Sequence, residues 1–299
     1  MYLSYSGHKT YSVCPKQYWH SYLDKTVPEK PDNKVNALYG STVGTLFEIF
    51  YADKIWMKKG VEELLLSMVE ETLDRIVEKE CQKGVIDYKD KASNYKSREA
   101  LLKDVRAAIP RGIQIVRQHR LLGMDAEAEV KLDSWIAGHR IGGRADFIMT
   151  RIKPHGDRMI LDGKGSRHRD KYVDAWQLKW YAMLYREKYI TVPDALGFVY
   201  WRSEPEQSVD WVPFTLRDLD ELKETVLAAA TAIEEGKAKL DEMGKAEQAA
   251  ALPGLFPAKP SRDCKLCAYL ATCSEGQAYD KASLPADFFE GLGVDDVGV

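Results

Sequence analysis

The stretch "EAEVKLDSWIAGHRIGGRADFIMTRIKPHGDRMILDGK", residues 127–164, decides the fold of this chain. It holds three runs of strand-forming residues, over 127–135, 139–151 and 158–164, separated by turn residues. The turn "KPHGD" between the last two runs has typical hairpin chemistry. We therefore predict a small, mainly antiparallel sheet at the centre of the chain.

Helices are predicted on both sides of this sheet. Apolar residues spaced three and four apart predict helices over 61–82 and 97–122, the second kinked or split by Pro110. Further helices are predicted over 40–59, 173–188 and 216–243, a short one around Cys14, and two more strands over 195–203 and 208–214. The order of elements predicts a mixed α/β fold.

Composition narrows the function classes. The 299 residues are 30% charged and 45% hydrophobic, which is ordinary for a soluble globular protein. The net charge of -3 gives no overall basic signature, so binding to nucleic acid must depend on local basic patches. No apolar run approaches the roughly 18 residues of a membrane span, and "MYLSYSGHKT" lacks the apolar core of a signal peptide. We expect a cytoplasmic protein without membrane contact.

The run over 158–164 carries the strongest catalytic pattern. Seven acidic-x-Lys triplets occur in the chain, but only "DGK" closes an apolar strand that follows a hairpin. Asp162 and Lys164 share one face of that strand, and Asp146 is expected to meet Asp162 across the ladder. Two carboxylates and the Gly163 carbonyl are hard oxygen ligands suited to Mg²⁺ or Mn²⁺, while the lysine orients or deprotonates an attacking water. Glu129, on the preceding strand, is a supporting residue within reach.

The flank of this pattern is basic. From 151 to 171 the chain carries seven Lys or Arg residues against three Asp, which suits a phosphate backbone. The predicted DNA-binding residues are Arg144, Arg167, Arg169 and Lys171. Gln177 and Tyr181 lie four apart and therefore on one face of the next helix, where they hold the lysine or a phosphate, or simply pack.

These motifs together resemble the RecB-like nucleases of the PD-(D/E)XK superfamily. "GGRADFIM", "ILDGKGS" and "QLKWY" match in order and spacing. The resemblance implies a restriction-endonuclease-like core in which Asp146 and Asp162 bind metal, Lys164 assists catalysis, and Gln177 and Tyr181 complete the site. The family places a metal-binding histidine four residues after an early helical glycine. Here Glu48 stands at that position after Gly44, so the resemblance implies a carboxylate ligand instead.

Four of the five cysteines form a candidate metal site. Cys264, Cys267 and Cys273 lie in "DCKLCAYLATC", and Cys14 supplies a distant fourth thiol. From the residues alone, zinc and an iron–sulfur cluster both remain open. Resemblance to the iron–sulfur members of the RecB-like group, such as AddB and the CRISPR-adaptation nucleases, implies a [4Fe–4S] cluster that joins the chain ends. Cys81 is expected to be an ordinary cysteine.

The sequence thus predicts one nuclease domain over 1–283, divided into a helical part (1–125), a catalytic sheet core (126–215) and a cysteine-bearing helical part (216–283). An acidic tail over 284–299 is expected to be flexible. The favoured function is a Mg²⁺- or Mn²⁺-dependent deoxyribonuclease, an exonuclease acting from DNA ends, single-stranded ends included, in recombination, repair or replication. The chain has no Walker motif, so helicase activity would come from a partner. The alternatives are a non-catalytic DNA-binding subunit of a recombination complex and an RNA nuclease.

Overall fold

The structure, a computed structural model, describes residues 1–25, 33–151, 157–166 and 174–282. The chain divides into two units. The first comprises Met1–Tyr5 and Pro31–Leu227, and the second comprises Ser6–Lys30 and Ala228–Val299. The predicted division of one domain at 125/126 and 215/216 stays a prediction, and the predicted acidic tail lies outside the described residues.

A six-stranded mixed sheet forms the centre of the first unit. Its strands run in the order β1-β3-β4-β5-β6, with β2 paired to β3. Two neighbouring pairs, β1–β3 and β4–β5, are parallel, and the other three are antiparallel, as the mainly antiparallel prediction requires. The strands are β1 (Tyr2–Ser4), β2 (Glu127–Ile136), β3 (His139–Thr150), β4 (Arg158–Lys164), β5 (Ala195–Tyr200) and β6 (Val209–Trp211).

The long strand β3 pairs with three strands, and part of one of its edges is left unpaired. β2 pairs along one edge of β3 almost from end to end. β1 and β4 therefore share the other edge, where the β1 pairing ends at Gly142 and the β4 pairing begins at Phe147. Among the described residues, the four positions between these points have no strand neighbour on that edge. Asp146 is the last of them, beside the place where β4 departs from β3.

Amphipathic helices cover one face of the sheet. The helices α3 (Val35–Ala52), α4 (Val61–Cys81) and α5 (Arg98–Gln118) bury their apolar stripes in one core with sheet residues such as Phe147 and Leu161. Burial of such stripes, at roughly 25 cal/mol per Å² of apolar surface, is the main stabilising contribution. Leu161 points into this core, so Asp162, its neighbour, points to the opposite face.

The helix α6 (Ala175–Tyr189) covers that opposite face. Trp180 Nε1 donates to the Gly142 carbonyl over 3.2 Å. A side chain on Gly143 would meet Tyr181 at 3.0 Å, so the strand residue must be small where the helix approaches. The sheet therefore lies between α6 and the α3–α5 layer, and the mixed α/β prediction is confirmed.

Most predicted elements are present, with shifted ends. The helix predicted over 40–59 begins earlier, at Val35, and ends at Ala52. Of the two predicted effects of Pro110, the split is wrong, because α5 continues through it to Gln118, and the kink stays a prediction. The helix α7 (Leu216–Asp241) matches its prediction closely. The predicted hairpin turn between β3 and β4 falls largely on residues outside the described ones.

The second unit is built from short helices that pack through aromatic rings. It contains most of α1 (Tyr5–Val13), α2 (Pro15–Tyr18), the later part of α7, α8 (Lys245–Leu255) and α9 (Ser274–Ala282). The Phe256 ring lies 5.1 Å from Trp19 and 6.5 Å from Tyr11, centroid to centroid. These contacts hold the two chain ends of this unit together. Within the described residues, no helix has the length and apolarity to cross a membrane.

Candidate active site

The end of β4 places Asp162 and Lys164 on the α6 side of the sheet. Asp162 is 2% exposed, a costly place for a carboxylate unless it is paired. Lys164 Nζ lies 2.6 Å from Asp162 Oδ1 in an ion pair. The shared strand face predicted from the sequence is therefore present, and it brings the two side chains into direct contact.

Gln177 on α6 holds both members of this pair. Its Nε2 donates to Asp162 Oδ2 over 2.8 Å and to the Tyr181 hydroxyl over 3.1 Å. Its Oε1 accepts from Lys164 Nζ over 2.9 Å. A flipped amide would place donor against donor at Lys164, so the network fixes its orientation. The spacing of four residues thus serves to clamp Asp162 and Lys164 rather than only to pack.

Asp146 bridges the fork between β3 and β4. Its Oδ2 accepts the backbone N–H of Gly163 over 2.8 Å, two residues beyond Leu161, the last β4 residue that pairs with β3. A side chain on Gly163 would lie 2.7 Å from Trp201 Nε1, so only glycine fits between this indole and the fork. Asp146 and Asp162 therefore meet at the splayed strand ends.

Burial controls the protonation of these carboxyls. Burial raises the pKa of Asp146 well above its usual range, and the nearby charge of Asp162 raises it further. Burial also raises the pKa of Asp162, against the lowering effect of the Lys164 ammonium. In the absence of a cation the two buried carboxyls resist ionisation. A bound cation would stabilise their charged forms.

Glu129 and Glu48 form a second carboxyl pair beside Asp146. Neighbouring register pairs place Glu129 opposite Asp146 in the β2–β3 ladder. Glu129 has a φ of 54°, a left-handed conformation that is strained for a non-glycine residue within a strand. Burial, and then the charge and hydrogen bond of Glu129, raise the pKa of Glu48 to about 7. Arg144 Nη1 lies 2.8 Å from Glu129 Oε2, so this predicted DNA contact is already paired with a carboxylate.

The donor set at the fork suits a hard divalent cation in chemistry. Asp162 Oδ1 is buried and is paired with the Lys164 ammonium at 2.6 Å, and carboxylate oxygens are the ligands of Mg²⁺ and Mn²⁺. Across the described ranges, however, no three His, Cys, Asp or Glu side chains form a group that could hold a metal ion. The structure therefore unites Asp146, Asp162, Gly163 and Lys164, but does not bring Glu48 into one ligand group with the two aspartates.

The remaining predicted phosphate contacts cannot be placed. Arg167, Arg169 and Lys171 lie outside the described residues. The sequence analysis missed Tyr5, whose hydroxyl donates to Asp174 Oδ2 over 2.5 Å at the start of α6. Asp174 also caps that helix by accepting the Trp176 N–H. An N-cap aspartate is visible in the sequence, but its distant tyrosine partner is not.

The four predicted cysteines line one cavity within the second unit. This cavity is bordered by Cys14, Cys264, Cys267 and Cys273. Backbone N–H groups approach two of the sulfurs, Ser261 N at 3.4 Å from Cys264 and Gly276 N at 3.4 Å from Cys273. Such contacts stabilise thiolates in metal–sulfur sites.

Burial raises the pKa of the Cys267 thiol, and the other three cysteines add to the effect. A raised pKa means that the thiol keeps its proton in the absence of a metal. A metal that binds the thiolates displaces these protons. The number and chemistry of these donors suit a four-thiolate site, although in the described part of the chain they do not form a closed ligand group. Cys81, by contrast, is exposed at the end of α4.

Comparison with known proteins identifies the family. The sequence profile of the PD-(D/E)XK nuclease superfamily matches residues 2–274. No curated protein matches the chain. Among solved structures, a protein from Eubacterium rectale provisionally described as an exonuclease is 16% identical, with a TM-score of 0.44, covering 78% of this chain and 79% of that one.

Two other solved structures are more distant. SSO0001 is 19% identical, with a TM-score of 0.29, and the match covers 59% of this chain and 76% of that one. VC1899 from Vibrio cholerae is 14% identical, with a TM-score of 0.23, over 77% and 57% of the two chains. At these scores, none of the three structures bears on the activity of this chain.

Proposed function

Because the chain belongs to the PD-(D/E)XK nuclease superfamily, we propose that it is a Mg²⁺- or Mn²⁺-dependent deoxyribonuclease whose centre is the fork between β3 and β4. The observation that carries this proposal is the buried contact of Asp162 with Lys164 at 2.6 Å, clamped by Gln177. A surface Asp–Lys pair would not need such a clamp, since exposed pairs stabilise a fold by only about 0–1 kcal/mol.

The two aspartates have the role of metal ligands in this proposal. Asp146 and Asp162 would hold the cation, and the Gly163 carbonyl lies between them in sequence. A bound divalent cation lowers the pKa of a water and neutralises charge on the phosphoryl oxygens. Deprotonation of both carboxyls is required for this binding, and their raised pKa values make it dependent on pH.

Lys164 has the role of orienting charge. Its ammonium lies 2.6 Å from Asp162 Oδ1 and 2.9 Å from Gln177 Oε1, at the end of β4 where β3 and β4 separate. From there it can donate a hydrogen bond to the attacking water or to a phosphate oxygen. Gln177 and Tyr181 act through Asp162 and Lys164, and are therefore positioning residues. Glu48 as a third ligand and Glu129 as its support stay predictions.

An exonuclease that acts from DNA ends in recombination, repair or replication remains the favoured mode. The open edge of β3 between β1 and β4 supports access of a strand to Asp146. Arg144, Arg167, Arg169 and Lys171 are proposed to contact phosphates. Digestion of end-labelled linear DNA, with and without Mn²⁺, tests the function, and the same DNA with blocked ends tests the mode. Cleavage of the blocked substrate at the rate of the open one would establish an endonuclease.

For the four cysteines, we propose an [4Fe–4S] cluster on Cys14, Cys264, Cys267 and Cys273. The support is their shared cavity and the backbone N–H groups that face two of the sulfurs. A zinc ion is the second candidate, because four thiolates also satisfy zinc. The cluster would link the two ends of the chain within the second unit, and a helicase or recombination partner would bind elsewhere.

A further inference from the structure

One face of the β1–β2–β3 ladder carries a row of basic and aromatic side chains. Register pairs place Lys131 opposite Arg144 and Trp135 opposite Arg140. Tyr2 on β1 is the partner of Arg140 from the other side. Side chains directly opposite one another in a sheet share a face. We call these five residues, Tyr2, Lys131, Trp135, Arg140 and Arg144, the β2–β3 track.

The track is open to solvent. Trp135 is 71% exposed, and the side chains of Lys131 and Arg144 are each 63% exposed. Their strand neighbours Leu132 and Ile141 are fully buried, so the exposure follows from strand alternation rather than from a frayed end. The solvent-exposed indole of Trp135 beside these cations is therefore suited to binding a ligand rather than to packing in the core.

The track runs into the candidate active site. Its Arg144 pairs with Glu129, which lies opposite Asp146 in the same ladder. Trp135 and Glu129 lie six positions apart on β2, a span of about 20 Å at roughly 3.3 Å per residue. A polymer that lies along the track therefore reaches the fork, whereas a small ligand at Trp135 does not.

The chemistry of the track selects the polymer. Its three cations outnumber the two carboxylates among them, Asp133 and Glu129, and Asp133 orients Arg140 and Lys131 by ion pairs of 2.9 and 3.2 Å. The Arg140 guanidinium lies over the Tyr2 ring, 5.3 Å from its centre, in a cation–π contact. Cations bind phosphates, and exposed aromatic rings stack on bases that are not already stacked in a duplex.

We propose that the β2–β3 track binds single-stranded DNA and leads it to the fork between β3 and β4. This inference rests on the proposed nuclease function and names its substrate as an unpaired strand. Trp and Arg also favour protein interfaces, but a protein partner would not explain why the row ends at Glu129, opposite the Asp146 that is proposed to hold the catalytic metal.

Binding of a fluorescein-labelled oligothymidylate of about 20 nucleotides, followed by anisotropy in EDTA so that no cleavage occurs, tests the track. Trp135→Ala is expected to raise the Kd by about fivefold or more, while Trp135→Phe retains most of the affinity. The matched control is Trp211→Ala, at the opposite end of the sheet, where Arg151 also lies over the ring at 5.1 Å. It is expected to bind within about twofold of the wild type, which is less than half a kcal/mol.

A second variant guards against a folding defect. Lys131→Gln is expected to weaken binding at low salt and to reduce the salt dependence by about one phosphate contact. Equal affinity of Trp135→Ala and Trp211→Ala for the oligonucleotide would overturn the track, as would absence of binding by the wild type. Hydrolysis of bis(p-nitrophenyl) phosphate by the wild type in Mn²⁺ tests the nuclease centre separately, because this small diester cannot span the distance to Trp135.

Discussion

Asp146 Oδ2 accepts the backbone N–H of Gly163 over 2.8 Å, at the point where β3 and β4 stop pairing. This bond satisfies a main-chain donor that would otherwise lose its partner where the strands separate. The same carboxylate is proposed to hold the metal through its other oxygen. Asp146 therefore has a structural role and a proposed catalytic role, and substitutions can separate the two roles.

Asp146→Asn is expected to keep the fold and lose the cleavage. The Asn carbonyl oxygen can still accept the Gly163 N–H, but a neutral amide is a poor ligand for Mg²⁺. Asp146→Ala should lose cleavage and also stability. Its free energy of unfolding should fall by about 1–3 kcal/mol because a buried donor is left unpaired. Urea unfolding and DNA digestion of the two variants provide the check. Equal stability of the two would show that the hydrogen bond contributes nothing.

Glu48→Gln is expected to shift the metal dependence of cleavage to higher Mn²⁺, by about tenfold, because a charge that supports the ligands is removed. The measurement is a Mn²⁺ titration of the cleavage rate. Glu71→Gln, at an exposed position on α4, is the matched control and should leave the titration unchanged. A Glu48→Gln curve that superimposes on the wild type would assign Glu48 to its pair with Glu129 alone.

The contacts within single elements were predictable, and so was the meeting of Asp146 with Asp162, but the fork that arranges the two aspartates was not. Period two placed Asp162 with Lys164, and the helical repeat placed Gln177 with Tyr181, because both follow from local backbone geometry. The fork at Asp146 depends on β1 occupying the same edge of β3 as β4, a pairing of residues far apart in sequence. Sequence patterns also gave no sign of the left-handed conformation of Glu129.

Stability of the metal-free protein is expected to fall with rising pH. The pKa of Glu48 is raised from 4.5 in the unfolded chain to about 7 in the folded protein. A raised pKa means that the folded state holds the proton more tightly, so this stabilisation is full below pH 4.5 and disappears as pH rises through 7. The raised pKa values of Asp146 and Asp162 act in the same direction.

Urea unfolding in EDTA at pH 5 and pH 8 measures this effect. Glu48→Gln cannot titrate, so it should lose less stability than the wild type between the two pH values. The difference should stay below about 3 kcal/mol because Glu48 is only half-buried and solvent screens its charge. Parallel losses in both proteins would show that the Glu48 carboxyl titrates as it does in the unfolded chain.

Cys14→Ala is expected to abolish the brown colour and the iron of protein purified without oxygen, and to destabilise the second unit, because this thiol closes the longest loop of the proposed cluster. Iron, sulfide and zinc analysis, together with thermal unfolding, provide the measurement. Cys81→Ala is the control and should change neither. Stoichiometric zinc without iron or sulfide would replace the cluster by a zinc site on the same four cysteines.

The central claim is that Asp162 and Lys164 form the catalytic centre of a nuclease. Its most direct test is the single-turnover rate of cleavage of end-labelled DNA by wild type and by Asp162→Ala in saturating Mn²⁺, with circular dichroism to verify the fold. Loss of a metal ligand should slow phosphodiester hydrolysis by at least about 100-fold, since each 1.4 kcal/mol of barrier changes the rate tenfold. A folded Asp162→Ala protein that cuts DNA at the wild-type rate would contradict the account.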